Sequence, residues 1–69
     1  MDAMIRITLN GTDREVPAGT SVAALLALVG AQGPVAIECN REVVVRARRD
    51  EHLLAAGDAI EIVRFVGGG

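Results

Sequence analysis

The 69-residue sequence predicts an α+β domain, one helix laid across a mixed sheet of about five strands. Three observations carry that expectation. Met4 to Asn10 alternates strictly, with Ile5, Ile7 and Leu9 on one side and Arg6, Thr8 and Asn10 on the other, the period of a half-buried strand. A single stretch, VAALLALV from Val22 to Val29, has its large apolar residues at helical spacing. A second apolar-dense run, Ala59 to Val66, stands at the far end of the chain and must pair with the rest.

The elements follow in order. Asn10-Gly11 is a strong hairpin signal, because both residue types tolerate positive φ. The return strand runs from Thr12 to Val16, and Pro17, with no N–H for a ladder, ends it. Thr20 is the expected N-cap of the helix and Gly30 its C′ residue. Ala23, Ala24 and Ala27 leave the back of that helix small rather than charged. Val35, Ile37 and Cys39 alternate as a third strand, Asn40-Arg41 turns the chain, and Glu42 to Arg46 reads as a fourth. Arg48 to Glu51 reads as irregular, and His52 to Ala56 as one helical turn with Leu53 and Leu54 as plugs. After Gly57-Asp58 comes the last strand, with Ile60 and Ile62 on one face and Glu61, Val63 and Phe65 on the other. Its apolar density predicts a central place beside the first strand. Those two neighbours would then be parallel, with the intervening segments as the long crossover that parallel pairing needs.

Composition narrows the classes. Residues 1–69 make one domain, near the lower size limit for folding alone. Half the chain is hydrophobic, yet Phe65 is its only aromatic residue, so the core is aliphatic. One cysteine, Cys39, cannot form an internal disulfide. There is no signal-peptide pattern, and the longest apolar run is too short to span a bilayer, so a soluble cytoplasmic protein is expected, without membrane contact. A net charge of −2 and the lack of stacking aromatics argue against nucleic acid as a partner. All seven basic residues are arginine, so the chain has no ε-amine to receive an isopeptide bond. Arg41, Arg46, Arg48 and Arg49 cluster, but Glu42, Asp50 and Glu51 interrupt them, the pattern of a solvated segment.

No residues suggest an active site. Cys39 is in register with Val35 and Ile37 and reads as a small core residue. His52, the only histidine, has no Cys or second His nearby, so neither a metal site nor a catalytic residue is expected. The chain instead finishes on FVGGG, residues 65–69. Residues 66–69 are expected to form a flexible tail, as termini commonly do. Val63, Phe65 and Val66, next to it, are candidates for a docking patch, weighed against a plain role in finishing the core.

The segments NGTDREVPAGTSVAALL, VAIECNREVV, AGDAIEIV and FVGGG together resemble the ThiS family, ubiquitin-like sulfur carriers of thiamine biosynthesis with a β-grasp fold. The diglycine end is shared by several β-grasp carriers. The length, the Asn-x-Glu-Val hairpin and the EIVRFVGGG ending are closer to ThiS than to MoaD, the molybdopterin counterpart. The arginine-rich Arg46 to Glu51 departs from the pattern. The resemblance implies that the Gly69 carboxylate is adenylated by an E1-like, ThiF-like enzyme. A sulfur donor, a cysteine desulfurase or rhodanese-like protein, then converts it to a thiocarboxylate, and a ThiG-like thiazole synthase takes the sulfur. The carrier itself would be no enzyme and hold no cofactor. Alternatives are a carrier for molybdopterin or cysteine synthesis, a ubiquitin-like protein modifier, and an interaction module with an idle tail.

The chemistry explains such a tail. A carboxylate is a poor electrophile until its oxygen is converted to a leaving group. Gly67, Gly68 and Gly69, lacking Cβ atoms, can thread a narrow channel. Extended, three residues reach roughly 10 Å at about 3.3–3.6 Å each. Ordering them costs about 1–2 kcal/mol per residue, which docking of the folded body must offset.

Overall fold

The computed structural model describes residues 3–31 and 33–65. The first two strands, β1 (Met4–Leu9) and β2 (Thr12–Pro17), form an antiparallel hairpin in register from Met4 opposite Pro17 to Leu9 opposite Thr12. Asn10 and Gly11 both take positive φ, 49° and 83°, as a two-residue type I′ turn requires. The helix α1 (Val22–Leu28) follows, then β3 (Val35–Cys39), a two-residue β4 (Glu42–Val43), a 3₁₀ turn (Arg46–Arg48) and β5 (Ala59–Arg64). The sheet order is β2-β1-β5-β3-β4. The last strand is central, parallel to β1 and antiparallel to β3, as its apolar density predicts.

One face of the sheet carries the core. Ile7, Val16, Ile37, Cys39 and Ile60 are buried there against Val22, Leu25 and Leu26 of the helix. Cys39 is thus the small core residue its register suggests. The opposite face has no layer over it among the described residues, so the domain is two layers deep. Of the small residues at the helix back, Ala24 and Ala27 are exposed and Ala23 is half-buried, while the larger Leu28 is also exposed.

Both helix ends are specified by side chains or backbone geometry. Ser21, not Thr20, is the N-cap: its Oγ accepts the Ala24 N–H at 3.0 Å. Thr20 is buried, and its hydroxyl turns back to donate to the Pro17 carbonyl at 2.6 Å, satisfying a polar group that has left water. At the other end Gly30 sits at φ 68°, with Gly30 N–H donating to Ala27 O and Ala31 N–H to Leu26 O. That pair of bonds is a Schellman motif, and it requires the left-handed residue.

The middle of the chain departs from expectation in two places. The fourth strand stops at Val43 rather than Arg46. Val44 still points inward and donates to Ile37 O, but the chain then leaves the sheet edge through the 3₁₀ turn Arg46–Arg48. His52 to Ala56 is not helical. Leu53 makes an isolated antiparallel bridge to Ser21, and Leu54 N–H donates to Thr20 O. These bonds fasten the segment beside the helix N-terminus as an extended strip, whose side chains point to opposite sides. So Leu54 is buried (5% exposed) while Leu53, at 58%, plugs nothing.

The second hairpin turn is strained. Asn40 and Arg41 have φ 53° and 70°, again type I′, but the second position holds arginine. A left-handed conformation costs a residue with a Cβ roughly 1–2 kcal/mol, and glycine none of that. Arg41→Gly is therefore expected to raise stability by about 0.5–1 kcal/mol after glycine's entropic penalty, read as a higher urea midpoint at unchanged slope.

Candidate functional site

β5 leads to the glycine tail, and the structure holds this strand from both sides. β1 pairs with it only at Thr8↔Ala59 and Leu9↔Ile60, then ends at the Asn10 turn. There the Asn10 side chain takes over the ladder. Its Oδ1 accepts Ile62 N–H at 2.8 Å, and its Nδ2 donates to Ile62 O at 3.3 Å. Asn40, at the equivalent position of the other turn, holds the start of the strand with one side-chain bond and one backbone bond. Its Oδ1 accepts Ala59 N–H at 2.9 Å, and its backbone N–H donates to Ala59 O. A carboxamide carries an acceptor oxygen and a donor NH2 side by side, as neighbouring peptide units do, so the Asn10 side chain can stand in for a missing strand residue.

Asp58 completes this anchor. Its carboxylate accepts Ala55 N–H at 2.8 Å and Asn40 Nδ2 at 3.0 Å. Burial alone would raise its pKa; those two hydrogen bonds, one from Cys39 and the nearby His52 outweigh that and hold it below 3.8. Its contribution to stability is therefore complete above about pH 4 and is lost as pH falls through the lowered folded-state value. Asp58→Asn should lower stability at pH 7 and flatten the acid limb of a stability–pH profile. An unchanged acid limb would rule out this role. In the same network, burial pushes the Cys39 thiol up to about 11, helped by the Asp58 charge and hydrogen bond and by Glu42. The thiol is held neutral at physiological pH, which makes it a poor nucleophile.

At the far end of β5, Phe65 N–H donates to Pro34 O at 3.1 Å and Arg64 Nη2 donates to Gly30 O at 3.1 Å. Arg49 Nη2 holds the start of β3 through Val35 O at 2.8 Å. Of the arginine-rich stretch, then, Arg49 is a structural tie, while Arg48 pairs with Glu51 at the surface.

Val63 and Phe65 lie on the uncovered face, 57% and 58% exposed. Neither finishes the core, because Ile60 and the half-buried Ile62 supply the inward face of β5. Half-buried Ala36 lies opposite Val63 on β3. Val66, Gly67, Gly68 and Gly69 lie outside the described residues. His52 is half-buried, and among the described residues no group of three His, Cys, Asp or Glu side chains converges as a metal site would need. Among the described residues no helix is long and apolar enough to cross a membrane. Neither the Asn10 and Asn40 clamps nor the Arg64 tie was read from the sequence. The signal available for the first two was an asparagine at the same position in both hairpin turns.

A five-stranded mixed sheet with a central C-terminal strand, parallel to the first and crossed by one helix, defines a β-grasp domain. The ThiS family model matches residues 7–69, and the chain belongs to that family. A solved structure of the thiamine biosynthesis protein ThiS from Geobacter metallireducens superposes with a TM-score of 0.81 at 32% identity, covering 94% of this chain and 100% of that one. Two curated relatives are thiazole synthases, from Paramagnetospirillum magneticum (36% identical over 66 residues) and Magnetococcus marinus (41% over 66). Each match covers 94% of this chain but 20% of the relative, so the chain spans about a fifth of the length of those proteins.

Proposed function

We propose that this chain is a sulfur carrier of thiamine biosynthesis whose reactive group is the Gly69 carboxylate. The observation that carries the reading is the family match over residues 7–69, which takes in the glycine tail. In the proposed cycle the carboxylate attacks the α-phosphate of ATP on an E1-like enzyme, releasing pyrophosphate and leaving an acyl adenylate. A persulfide from a cysteine desulfurase or rhodanese-like donor displaces AMP. A second thiol then takes the donor's inner sulfur as a disulfide, leaving the thiocarboxylate. A thiazole synthase accepts that sulfur, a partner suggested by the two longer relatives, both of them thiazole synthases.

The folded body's part is docking. Val63 and Phe65 are exposed, and Val66 follows Phe65 in sequence, directly before the glycines. A lone aromatic so placed suits an interface anchor. Phe65→Ala is expected to weaken binding to the adenylating enzyme by about 2 kcal/mol, roughly 30-fold, with the melting temperature nearly unchanged because the ring is outside the core. An equal loss of stability would return Phe65 to a packing role.

The cycle is tested by incubating the chain with ATP, the adenylating enzyme and a persulfide donor, then weighing it. Exchange of oxygen for sulfur adds about 16 Da to an activated acyl end. High-mass adducts on other proteins would instead indicate a protein modifier. Restored molybdopterin or cysteine synthesis in a deletion strain would move the carrier to another pathway.

A further inference from the structure

The uncovered sheet face is unevenly charged. Residues that share it follow from the strand registers: Asp13 and Glu15 on β2, Arg6 and Thr8 on β1, Ala59, Glu61 and Val63 on β5, Ala36 and Glu38 on β3, and Val43 on β4. Among these strand residues four carboxylates face one arginine, which is already paired with Glu15 at 3.4 Å, while Arg41 of the second hairpin turn borders the face beside Glu38 and Glu61 without an ion-pair contact to either among the described residues. Glu38 and Glu61 stand directly opposite each other on neighbouring strands. Their Cβ atoms are then about 4.5–5.5 Å apart, an arrangement that destabilises a sheet when both are charged. Neither has an ion-pair partner among the described residues. They flank a shallow hollow of about 430 Å³, lined also by Thr8, Arg41 and Ala59. On the other side of this acidic pair, toward the tail, lie Ala36 and Val63, with exposed Val43 opposite Glu38 at the sheet edge.

We propose that the Glu38–Glu61 pair is a recognition element that receives a basic side chain of the adenylating enzyme, beside an apolar contact made by Val63 and Phe65. The proposal rests on the sulfur-carrier reading. Charge complementarity is the ground for assigning this partner. An enzyme that draws a carboxylate toward a bound nucleoside triphosphate carries positive potential around its channel, and an acidic face beside the tail is steered to it. Docking relieves the repulsion between the two glutamates, so part of the fold's electrostatic strain is released only in the complex. The apolar contact supplies adhesion, while the acidic pair sets which partner is approached and in which orientation.

The test compares the full chain with E38Q/E61Q and with D50N/E51Q, which removes the same charge away from this face. The cognate adenylating enzyme is the probe, through direct binding and through sulfur incorporation. At about 50 mM salt, E38Q/E61Q is expected to bind about tenfold more weakly, and the gap to close near 0.5 M. Its KM for carrier should rise with kcat kept, and its Tm should equal or exceed that of the unsubstituted chain. D50N/E51Q should bind like the unsubstituted chain. Equal binding by E38Q/E61Q, an equal loss in D50N/E51Q, or a salt-independent loss would overturn the proposal. Failure of the carrier reading looks different: the unsubstituted chain then gains no sulfur at any salt, and the recognition element falls with it.

Discussion

Removal of Gly68 and Gly69 is expected to abolish sulfur incorporation, with no residual gain of about 16 Da, while leaving the melting transition in place. The asymmetry follows from where the described contacts lie. Every residue of the core cluster falls between Ile5 and Ile62. The last described anchors, the Phe65 N–H and the Arg64 guanidinium, precede the glycines. Truncation therefore takes away the acyl group and the reach without touching any of the described packing contacts. The new terminus at Gly67 still ends in a carboxylate, but two residues short it falls back by roughly 7 Å, at about 3.3–3.6 Å per residue. Acyl transfer is steeply sensitive to such misplacement. Intact mass after incubation with ATP, adenylating enzyme and persulfide donor gives the first half of the result, and a thermal melt the second. Sulfur uptake by the shortened chain would show that the tail is idle.

The second large effect is on the fold. Ile60→Ala is expected to destabilise by about 2–5 kcal/mol, the usual range for emptying a buried isoleucine site. A core this small rarely supplies more than about 3–5 kcal/mol in total. The variant should thus be largely unfolded at 25 °C, with lost amide protection across all strands. Ile60 is 1% exposed, near the start of the central strand β5, where it is paired with Leu9 of β1 on one side and Cys39 of β3 on the other and little room is left for collapse. Ile62→Ala, at a half-buried position on the same face, should cost clearly less. Equal losses at the two sites would mean that position in the sheet does not govern the penalty.

Most of the architecture was legible because it rests on local signals that agree. Alternation over Met4 to Leu9, the Asn10-Gly11 turn, helical spacing from Val22 and the glycine at position 30 each specify one element without tertiary context. The central place of the last strand followed from its apolar density. What was misread depends on long-range competition. Thr20 and Ser21 are both good caps by type, and only the nearby Pro17 carbonyl decides between them. The run of valines at 43–45 reads as a strand by its β-branched content, but the ladder ends where the chain must cross to bring Leu54 into the core. The proposed docking residues were legible only as candidates. That Val63 and Phe65 face outward is a consequence of Ile60 and Ile62 facing inward, but whether a second layer covers them is a property of the whole fold. The Glu38–Glu61 opposition needs the register of two strands more than twenty residues apart, which no local pattern contains.

The strapping of β5 by Asn10 and Asn40 has a mechanical consequence. When a partner draws the C-terminus taut, tension runs along this strand, and its hydrogen bonds to β1 and β3 lie across the direction of pull. The bonds are loaded together in shear, not peeled one after another, so the domain can be tugged by its end without unravelling.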